Sequence, residues 1–311
     1  MSLDMVAEFL RTHDDYEILT HTFPDGDTLG SGYALCMALE QMGKRARVVY
    51  TELPPNFVFL ADMVKEQDHE ARTIVSVDIA DEKLLGVNRE KYEGKIDLCI
   101  DHHEINRVNA PLKHVEAEAA ANCEILYRLF KLMDIEITKQ IADCLYTGVS
   151  TDTGCFRYTN TTADTLRIAA ELLDAGADNC RINKVMFETK TKKQLALEQA
   201  VCKTMEYFYD GRCAVMAATL EVRRALDIAE HELEGLSSIP RRIEGVVVGI
   251  TLRERPEGGF KASVRSDGAF NAAKLCAMFD GGGHAGAAGC SLDGTLEEVK
   301  AKMVEAVGTL I

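Results

Sequence analysis

The segment Thr73–Ala80 reads TIVSVDIA, a short run of apolar and β-branched residues that contains one aspartate. Ile96–Ile100 (IDLCI) has the same character, and Tyr16–Thr22 is a third apolar run that ends in polar residues. Runs of this length and composition are typical of strands that are buried on both faces of a parallel sheet.

Segments with helical spacing of apolar residues separate and follow these runs. They are Leu29–Met42, Ala119–Met133, Thr138–Val149 and Ala163–Ala175. Strands that alternate with helices predict an α/β fold, in which a parallel sheet carries helices on both faces.

The pattern changes after Lys190. Lys192–Tyr207 predicts one long connecting helix. Strand-like runs then follow at Cys213–Ala218, Gly245–Leu252, Phe260–Arg265 and Ala287–Leu292, with short helices predicted at Asn271–Phe279 and Leu296–Val307. This order predicts a second, smaller α+β domain, and 311 residues are enough for two domains.

Charge and composition limit the kind of partner. Fifty acidic and 35 basic residues give a net charge of −15, which disfavours binding to long duplex nucleic acid. No apolar run approaches the ~18–20 residues of a membrane span, and no secretory signal is visible. We therefore expect a soluble, cytoplasmic protein that has no membrane partner. The ten cysteines include no Cys-x-x-Cys pair, which indicates reduced core residues.

Carboxylates and histidines gather where the predicted strands end. Because the carboxyl ends of parallel strands meet at one edge of a sheet, we expect these side chains to lie close together. The residues are His21, Asp25, Asp27, Asp78, Asp101, His102, His103 and, after a predicted helix, Asp152.

This set of side chains predicts a site for two metal ions. So many acids in one crevice repel one another unless cations are present. Nitrogen and oxygen ligands without thiolate favour Mn²⁺, with Mg²⁺, Fe²⁺ or Co²⁺ as weaker candidates and zinc also compatible. Two such ions typically activate a water and stabilise phosphoryl oxygens in phosphate ester hydrolysis.

A second candidate site lies near the C-terminus. The glycine-rich stretch Gly281–Gly289 allows backbone amides to approach an anion, and His284 and Arg265 add side-chain donors. Residues 241–274 contain seven basic and four acidic residues, so this window carries a local charge of +3. The combination predicts phosphate binding.

The chain resembles the DHH phosphoesterases. The resemblance is carried by His21-x-x-x-Asp25-x-Asp27, by Asp78 after an apolar strand, by Asp101-His102-His103 and by Asp152. The C-terminal part is similar to the DHH-associated domain of nanoRNases and RecJ-like exonucleases. The resemblance implies a DHH catalytic domain over residues 1–188, a helical linker over 189–207 and a substrate-binding domain over 208–311.

The stand-alone nanoRNase branch is the most similar, which implies hydrolysis of oligonucleotides of two to five nucleotides to mononucleotides by a two-metal-activated water. Some members also convert adenosine 3′,5′-bisphosphate to AMP. Carried over by motif, the metal ligands are His21, Asp25, Asp27, Asp78, His102 and Asp152, with Asp78 bridging.

The resemblance also implies roles for the remaining candidates. Asp101 would orient a ligand histidine and His103 would face the scissile phosphate. The substrate-binding residues would be Arg265, Ser266, Asn271, Gly282, Gly283, His284 and Arg157. One departure is Ala119–Glu124 (AAANCE), which has fewer serines and threonines than expected before a helix, with Asn122 as the polar substitute.

Three alternatives stay open. The first is a phosphodiesterase of linear or cyclic dinucleotides such as cyclic di-AMP and pApA. A RecJ-like single-strand exonuclease is disfavoured because aromatic residues make up only 6% of the chain. The non-enzymatic alternative is a nucleotide-binding sensor, which would need a broken metal set. The sequence leaves open the preferred substrate, the cleavage polarity, the physiological metal and the oligomeric state, including a homodimer.

Overall fold

The computed structural model of the chain describes residues 1–65, 67–233 and 235–311. These residues divide into two units, Met1–Thr189 and Lys190–Ile311. Each unit contains one sheet and its own buried apolar clusters.

Five parallel strands form the sheet of the first unit. They are β1 (Tyr16–Leu19), β2 (Ala46–Val49), β3 (Thr73–Val77), β4 (Leu98–Asp101) and β5 (Leu112–Val115), in the order β2-β1-β3-β4-β5. The predicted parallel sheet of an α/β fold is therefore confirmed. The strand order reverses between β1 and β3, and such a switch point is where ligands bind in open α/β sheets.

Within the described residues of the first unit, eight α-helices accompany this sheet. They are α1 (Leu3–Thr12), α2 (Gly26–Gln41), α3 (Val58–Ala61), α4 (Arg89–Tyr92), α5 (Asn122–Leu132), α6 (Lys139–Asp152), α7 (Ala163–Asp174) and α8 (Asn179–Asn183). A short 3-10 segment, Glu82–Asn88, precedes α4.

Alternate residues of the strands face two different apolar clusters. Ile18 and Val75 pack with the longer helices, among them α2, α5 and α6. Leu19 and Cys99 face the other side, where they pack with Tyr92 of α4. Both faces of the sheet are thus covered, which explains the nearly continuous apolar character of β3 and β4.

The second unit contains a mixed sheet. Its strands are β6 (Glu206–Phe208), β7 (Cys213–Ala218), β8 (Val248–Glu254), β9 (Phe260–Ser266), β10 (Gly282–His284) and β11 (Ala287–Leu292), in the order β10-β11-β9-β8-β7-β6. β7 and β8 pair in parallel and the other neighbours are antiparallel. The helices are α9 (Lys192–Cys202), α10 (Leu220–Ala225), α11 (Ala272–Ala277) and α12 (Leu296–Gly308). This confirms the predicted α+β composition of this part.

The predicted long helix Lys192–Tyr207 is too long. α9 ends at Cys202, because the Thr204 hydroxyl donates to the carbonyl of Val201 at 2.7 Å and accepts from the amide of Ala217 in β7 at 2.9 Å. These two hydrogen bonds direct the chain from α9 into β6. The last residues of the predicted linker therefore belong to the sheet of the second unit.

Across the described ranges, the helices are too short or too polar to cross a bilayer. The cytoplasmic location stays a prediction. All ten cysteines are free thiols and seven of them are buried.

Candidate metal centre

Three neighbouring strands bring the predicted acids and histidines to one edge of the first sheet. His21 lies two residues beyond β1, Asp78 directly follows β3, and Asp101 is the last residue of β4. The N-terminus of α2 adds the carboxylates of Asp25 and Asp27, and the C-terminus of α6 adds that of Asp152.

The first group of side chains is His21, Asp25 and Asp78. Nε2 of His21 lies 3.6 Å from Oδ2 of Asp25 and 3.9 Å from Oδ2 of Asp78. Asp25 is the N-cap of α2, and its Oδ1 accepts the backbone amides of Asp27 and Thr28, both at 3.1 Å. The cap fixes one oxygen of Asp25 and leaves the other facing His21.

The second group is Asp27, His102 and Asp152. Nε2 of His102 lies 3.3 Å from Oδ2 of Asp152 and 3.6 Å from Oδ2 of Asp27. It also lies 3.3 Å from Oδ1 of Asp78. The two oxygens of Asp78 therefore face the two groups, which is the arrangement of a bridging carboxylate.

The backbone of Asp78 is unusual. Its φ is +56°, in the left-handed region that costs a non-glycine residue roughly 1–2 kcal/mol. The Asp78 amide donates to the carbonyl of Ile100 at 3.0 Å, so the neighbouring strand holds this conformation. Strained residues of this kind concentrate at functional sites.

A divalent cation fits this environment. Oδ1 of Asp78 is buried, and the described residues offer it no hydrogen bond of acceptable geometry. An orphaned buried oxygen costs about 1–3 kcal/mol or more when charged. A cation between the two groups would satisfy it, and the available donors are carboxylate oxygens and imidazole nitrogens, the ligands that divalent first-row metals accept.

The pKa values of the clustered carboxylates and of His102 also reflect an excess of negative charge. Burial raises the pKa of Asp78 well above its ordinary value, and the nearby charge of Asp27 raises it further. Burial likewise raises the pKa of Asp152 to about 7. Burial opposes the charge of His102, but the carboxylates of Asp152 and Asp78, each 3.3 Å from its Nε2, prevail and raise its pKa to about 12. In the absence of cations, protons supply the positive charge that the cluster requires.

Asp101 serves His103 and not a histidine of either group. Its Oδ1 lies 2.8 Å from Nδ1 of His103, and its Oδ2 accepts a hydrogen bond from the Asn106 side chain at 2.7 Å. Nδ1 of His102 instead lies 3.1 Å from the carbonyl of Ala119. His103 also forms a third possible metal group with Asp78 and His102, so the prediction that Asp101 orients a ligand histidine stays a prediction, with His103 as that histidine. Asn106 was missed, because a polar residue in an irregular loop gives no sequence signal.

Asp27 has a structural role as well. Its carboxylate accepts the backbone amides of Asn122 at 2.6 Å and Cys123 at 2.9 Å, at the N-terminus of α5. Ala121, the N-cap of α5, offers no capping side chain. Asp27 thus caps α5 from another helix, which explains why Ala119–Glu124 needs no serine or threonine.

Gly148 of α6 makes room for this arrangement. A Cβ at this position would lie 2.3 Å from Sγ of Cys123 and 2.6 Å from Oδ1 of Asp27. Both distances are shorter than side-chain atoms tolerate, so α6 approaches Asp27 this closely only because residue 148 is glycine.

Arg157 lies beyond the end of α6, after a left-handed stretch formed by Gly154, Cys155 and Phe156. Within the described residues its side chain contacts the Gly154 carbonyl and lies over the Phe187 ring at 5.8 Å, and it makes no contact with the acidic cluster. Its role in substrate binding stays a prediction.

The glycine-rich stretch of the second unit is partly a strand. Gly282–His284 forms β10, an edge strand that pairs with β11, and the register places His284 opposite Ala287 and Ala287 opposite Arg265. Arg265 and His284 therefore share one row across three strands.

Two other predicted substrate residues are engaged in the fold. The Ser266 hydroxyl donates to the carbonyl of Ala285 at 3.0 Å, and Ser266 is buried. The Asn271 side chain accepts the amide of Lys274 at 3.0 Å as the N-cap of α11. Ser266 contacts the turn that carries His284, and Asn271 begins α11, whose Ala272 amide donates to the same Ala285 carbonyl at 2.8 Å.

Known proteins match both units. The N-terminal domain model of the DHH family matches residues 17–149, and the DHHA1 domain matches residues 214–311. The bifunctional oligoribonuclease and PAP phosphatase NrnA of Thermus thermophilus is 33% identical over 97% of this chain and 92% of its own length.

Two solved structures are similar along the chain. An exopolyphosphatase-related protein from Bacteroides fragilis superposes with a TM-score of 0.86 at 27% identity, covering 99% of this chain and 95% of that one. RecJ from Thermus thermophilus, crystallised with Mn²⁺, gives a TM-score of 0.57 at 14% identity, covering 99% of this chain and 54% of that one. The second likeness is one of fold.

Proposed function

Since the chain belongs to the DHH family and carries a DHHA1 domain, we propose that this phosphoester hydrolase is a Mn²⁺-dependent enzyme that degrades short oligonucleotides to mononucleotides and converts adenosine 3′,5′-bisphosphate to AMP. The name of the relative from Thermus thermophilus supports both substrates. The acidic net charge of −15 supports short substrates over long ones.

One observation carries the proposal: the two oxygens of Asp78 face two separate groups of ligands. We assign one metal ion to the first group and another to the second. The first group is His21, Asp25 and Asp78, and the second is Asp27, His102 and Asp152 together with Asp78. When bound, two such ions lower the pKa of a water and stabilise charge on the phosphoryl oxygens.

His103 is the residue that we assign to the scissile phosphate. Because Asp101 holds Nδ1 of His103, Nε2 is the ring nitrogen left to meet a substrate. Hydrolysis joins a water oxygen to phosphorus and breaks the bond from phosphorus to the sugar oxygen. That sugar oxygen leaves with a proton, and a histidine facing the phosphate is suited to donate it.

The second unit would supply the remaining contacts. Arg265 carries a guanidinium group of the kind that binds phosphate, its Nη1 donates to the Val264 carbonyl at 3.1 Å, and His284 shares its row on the sheet. We assign the terminal phosphate and sugar of the substrate to these side chains and to the exposed backbone of Gly282 and Gly283. Ser266 would act by holding the turn, and Asn271 by starting the helix that packs beside it.

AMP release from pApA and from adenosine 3′,5′-bisphosphate, with Mn²⁺ present, tests the proposal. Chromatography should show AMP from both substrates with the wild-type chain and none with Asp78→Asn. Cyclic di-AMP, a long single strand and polyphosphate complete the panel. Turnover confined to cyclic di-AMP, the long single strand or polyphosphate would contradict the proposed substrate class. Normal turnover by Asp78→Asn would contradict the metal assignment. Nucleotide binding without turnover of any of them would indicate a sensor.

A further inference from the structure

Phe23 lies in the loop between two residues of the first metal group, His21 and Asp25. It exposes 78% of its surface, and all eleven phenylalanines lie within the described residues, where the other ten are buried or half-buried. Burying such a side chain would stabilise the fold by about 1.5–3 kcal/mol. The fold does not gain this stabilisation, because Phe23 stays exposed at a position next to the candidate site.

The backbone on both sides of Phe23 is fixed. The Thr22 amide donates to the carbonyl of Leu84 at 2.7 Å, and Asp25 caps α2. Pro24 follows Phe23 and restricts its backbone to extended conformations. Since consecutive Cα atoms are about 3.8 Å apart, Cα of Phe23 lies within ~7.6 Å of those of His21 and Asp25. The backbone of Phe23 is therefore held beside the acidic cluster, with its side chain exposed.

A neighbouring segment is also apolar and exposed. Leu84 and Val87 belong to the 3-10 segment Glu82–Asn88 and expose 39% and 79% of their surfaces. Thr22 packs on Gly86 in this segment, where a Cβ would meet its hydroxyl at 2.3 Å. We call Phe23, Leu84 and Val87 the apolar rim. Exposed apolar groups that cluster beside a polar site often mark a ligand contact.

We propose that the apolar rim binds a nucleobase of the substrate, with the base stacked on the ring of Phe23, an inference that rests on the proposed function. The metal cluster recognises phosphate and cannot by itself distinguish a nucleotide from a sugar phosphate. An aromatic ring stacks on every base, so this contact selects nucleotides without selecting a sequence. It would also separate short oligonucleotides from inorganic polyphosphate.

A binding experiment tests the contact without turnover. The chain contains no tryptophan, so Phe23→Trp introduces a single indole at the rim. With Mg²⁺ present, AMP should quench its fluorescence and ribose 5-phosphate should not. Leu195→Trp, at a half-exposed position in the second unit, is the matched control and should respond to neither. Equal quenching by both ligands, or none by AMP, would overturn the inference.

Kinetics provide the second arm. Base stacking is worth about 1–3 kcal/mol, so Phe23→Ala should raise KM for pApA about 5- to 150-fold with kcat nearly unchanged, and Phe23→Tyr should retain the wild-type KM. An unchanged KM in Phe23→Ala, or a fall in kcat alone, would refute stacking. If wild-type protein leaves pApA intact but AMP quenches the introduced indole, the proposed function fails while base binding stands.

Discussion

The carboxylate of Asp101 lies 2.8 Å from Nδ1 of His103, and Asn106 holds its second oxygen. Asp101 is fully buried, so these two contacts fix the orientation of the imidazole ring. His103 is thus presented beside the acidic cluster by a carboxylate that lies outside the groups of proposed metal ligands.

Asp101→Asn should lower kcat about 10- to 100-fold, because losing the hydrogen-bond partner of a metal-site histidine typically costs this much in activity or metal affinity. Metal content, measured by mass spectrometry of the purified protein, should stay at the wild-type value. Asn106→Ala should have the same effect in weaker form. A loss of bound metal in Asp101→Asn would instead place His103, or Asp101 itself, among the ligands.

Asp78→Asn should abolish turnover and also remove the stabilisation by metal. Thermal unfolding should show a higher Tm for wild-type protein in Mn²⁺ than in EDTA, and no such difference for the variant. In EDTA the variant should be the more stable protein, because burial and the charge of Asp27 disfavour the Asp78 carboxylate. A Tm in EDTA below that of the wild type would contradict this account of the cluster.

Gly148→Ala should destabilise the chain by about 1–3 kcal/mol, as overpacking of a core does. Alanine ordinarily stabilises a helix relative to glycine, so a loss of stability in Gly148→Ala would itself indicate overpacking. Cys123→Ala in the same chain should recover stability by removing the contact with Sγ, but it should leave metal affinity weakened because Oδ1 of Asp27 is still displaced. Urea unfolding and Mn²⁺ titration separate the two effects. Normal metal affinity in Gly148→Ala would contradict the role assigned to Gly148.

Glu17 provides a pH-dependent contribution to stability far from the proposed chemistry. It is buried in β1 and contacts Arg47 of β2 and Lys91 of α4. Burial alone would raise the pKa of Glu17, but the hydrogen bonds to Arg47 and Tyr92 and the charge of Lys91 prevail and lower it. A lowered pKa in the folded state means that the stabilisation is present above about pH 4.5 and is lost as the pH falls through the folded value.

Glu17→Gln should therefore lower the free energy of unfolding by about 1–3 kcal/mol at pH 7. The difference from wild type should shrink as the pH falls below the usual range of glutamate. Urea unfolding at pH 7 and pH 3.5 measures both values, with Glu8→Gln on the exposed face of α1 as the control. A difference that is independent of pH would show that packing and not charge is lost.

The sequence predicts elements whose apolar pattern is strong and misses those that depend on their neighbours. β7, β9 and β11 match their predicted runs to within one residue, and β3 begins where predicted but ends at Val77 and not at Ala80. Each of the four has a neighbouring strand on both sides. β2, β6 and β10 are short and lie at or near a sheet edge, and they form by pairing with strands that the pattern alone cannot place.

The same distinction holds for the candidate site. The resemblance to known motifs predicts the ligand set, and strand topology predicts that its members lie close together. The contacts that orient this set are different in kind. These contacts join residues that are distant in sequence or lie in loops, so no local pattern predicts them. They are the hydrogen bond from Asn106 to Asp101, the hydrogen bonds from the α5 amides to Asp27, and the close approach that Gly148 allows.

The capping of α5 by Asp27 affects how distant members of this lineage should be judged. In a descendant that abandoned hydrolysis, selection would still retain Asp27, because α5 has no capping side chain of its own. Asp25 would be retained for the same reason at α2. Within the described residues, the side chains of His21 and Asp152 contact the acidic cluster and support no helix end. Their loss, and not that of the two capping aspartates, is the mark by which an inactive paralogue should be recognised.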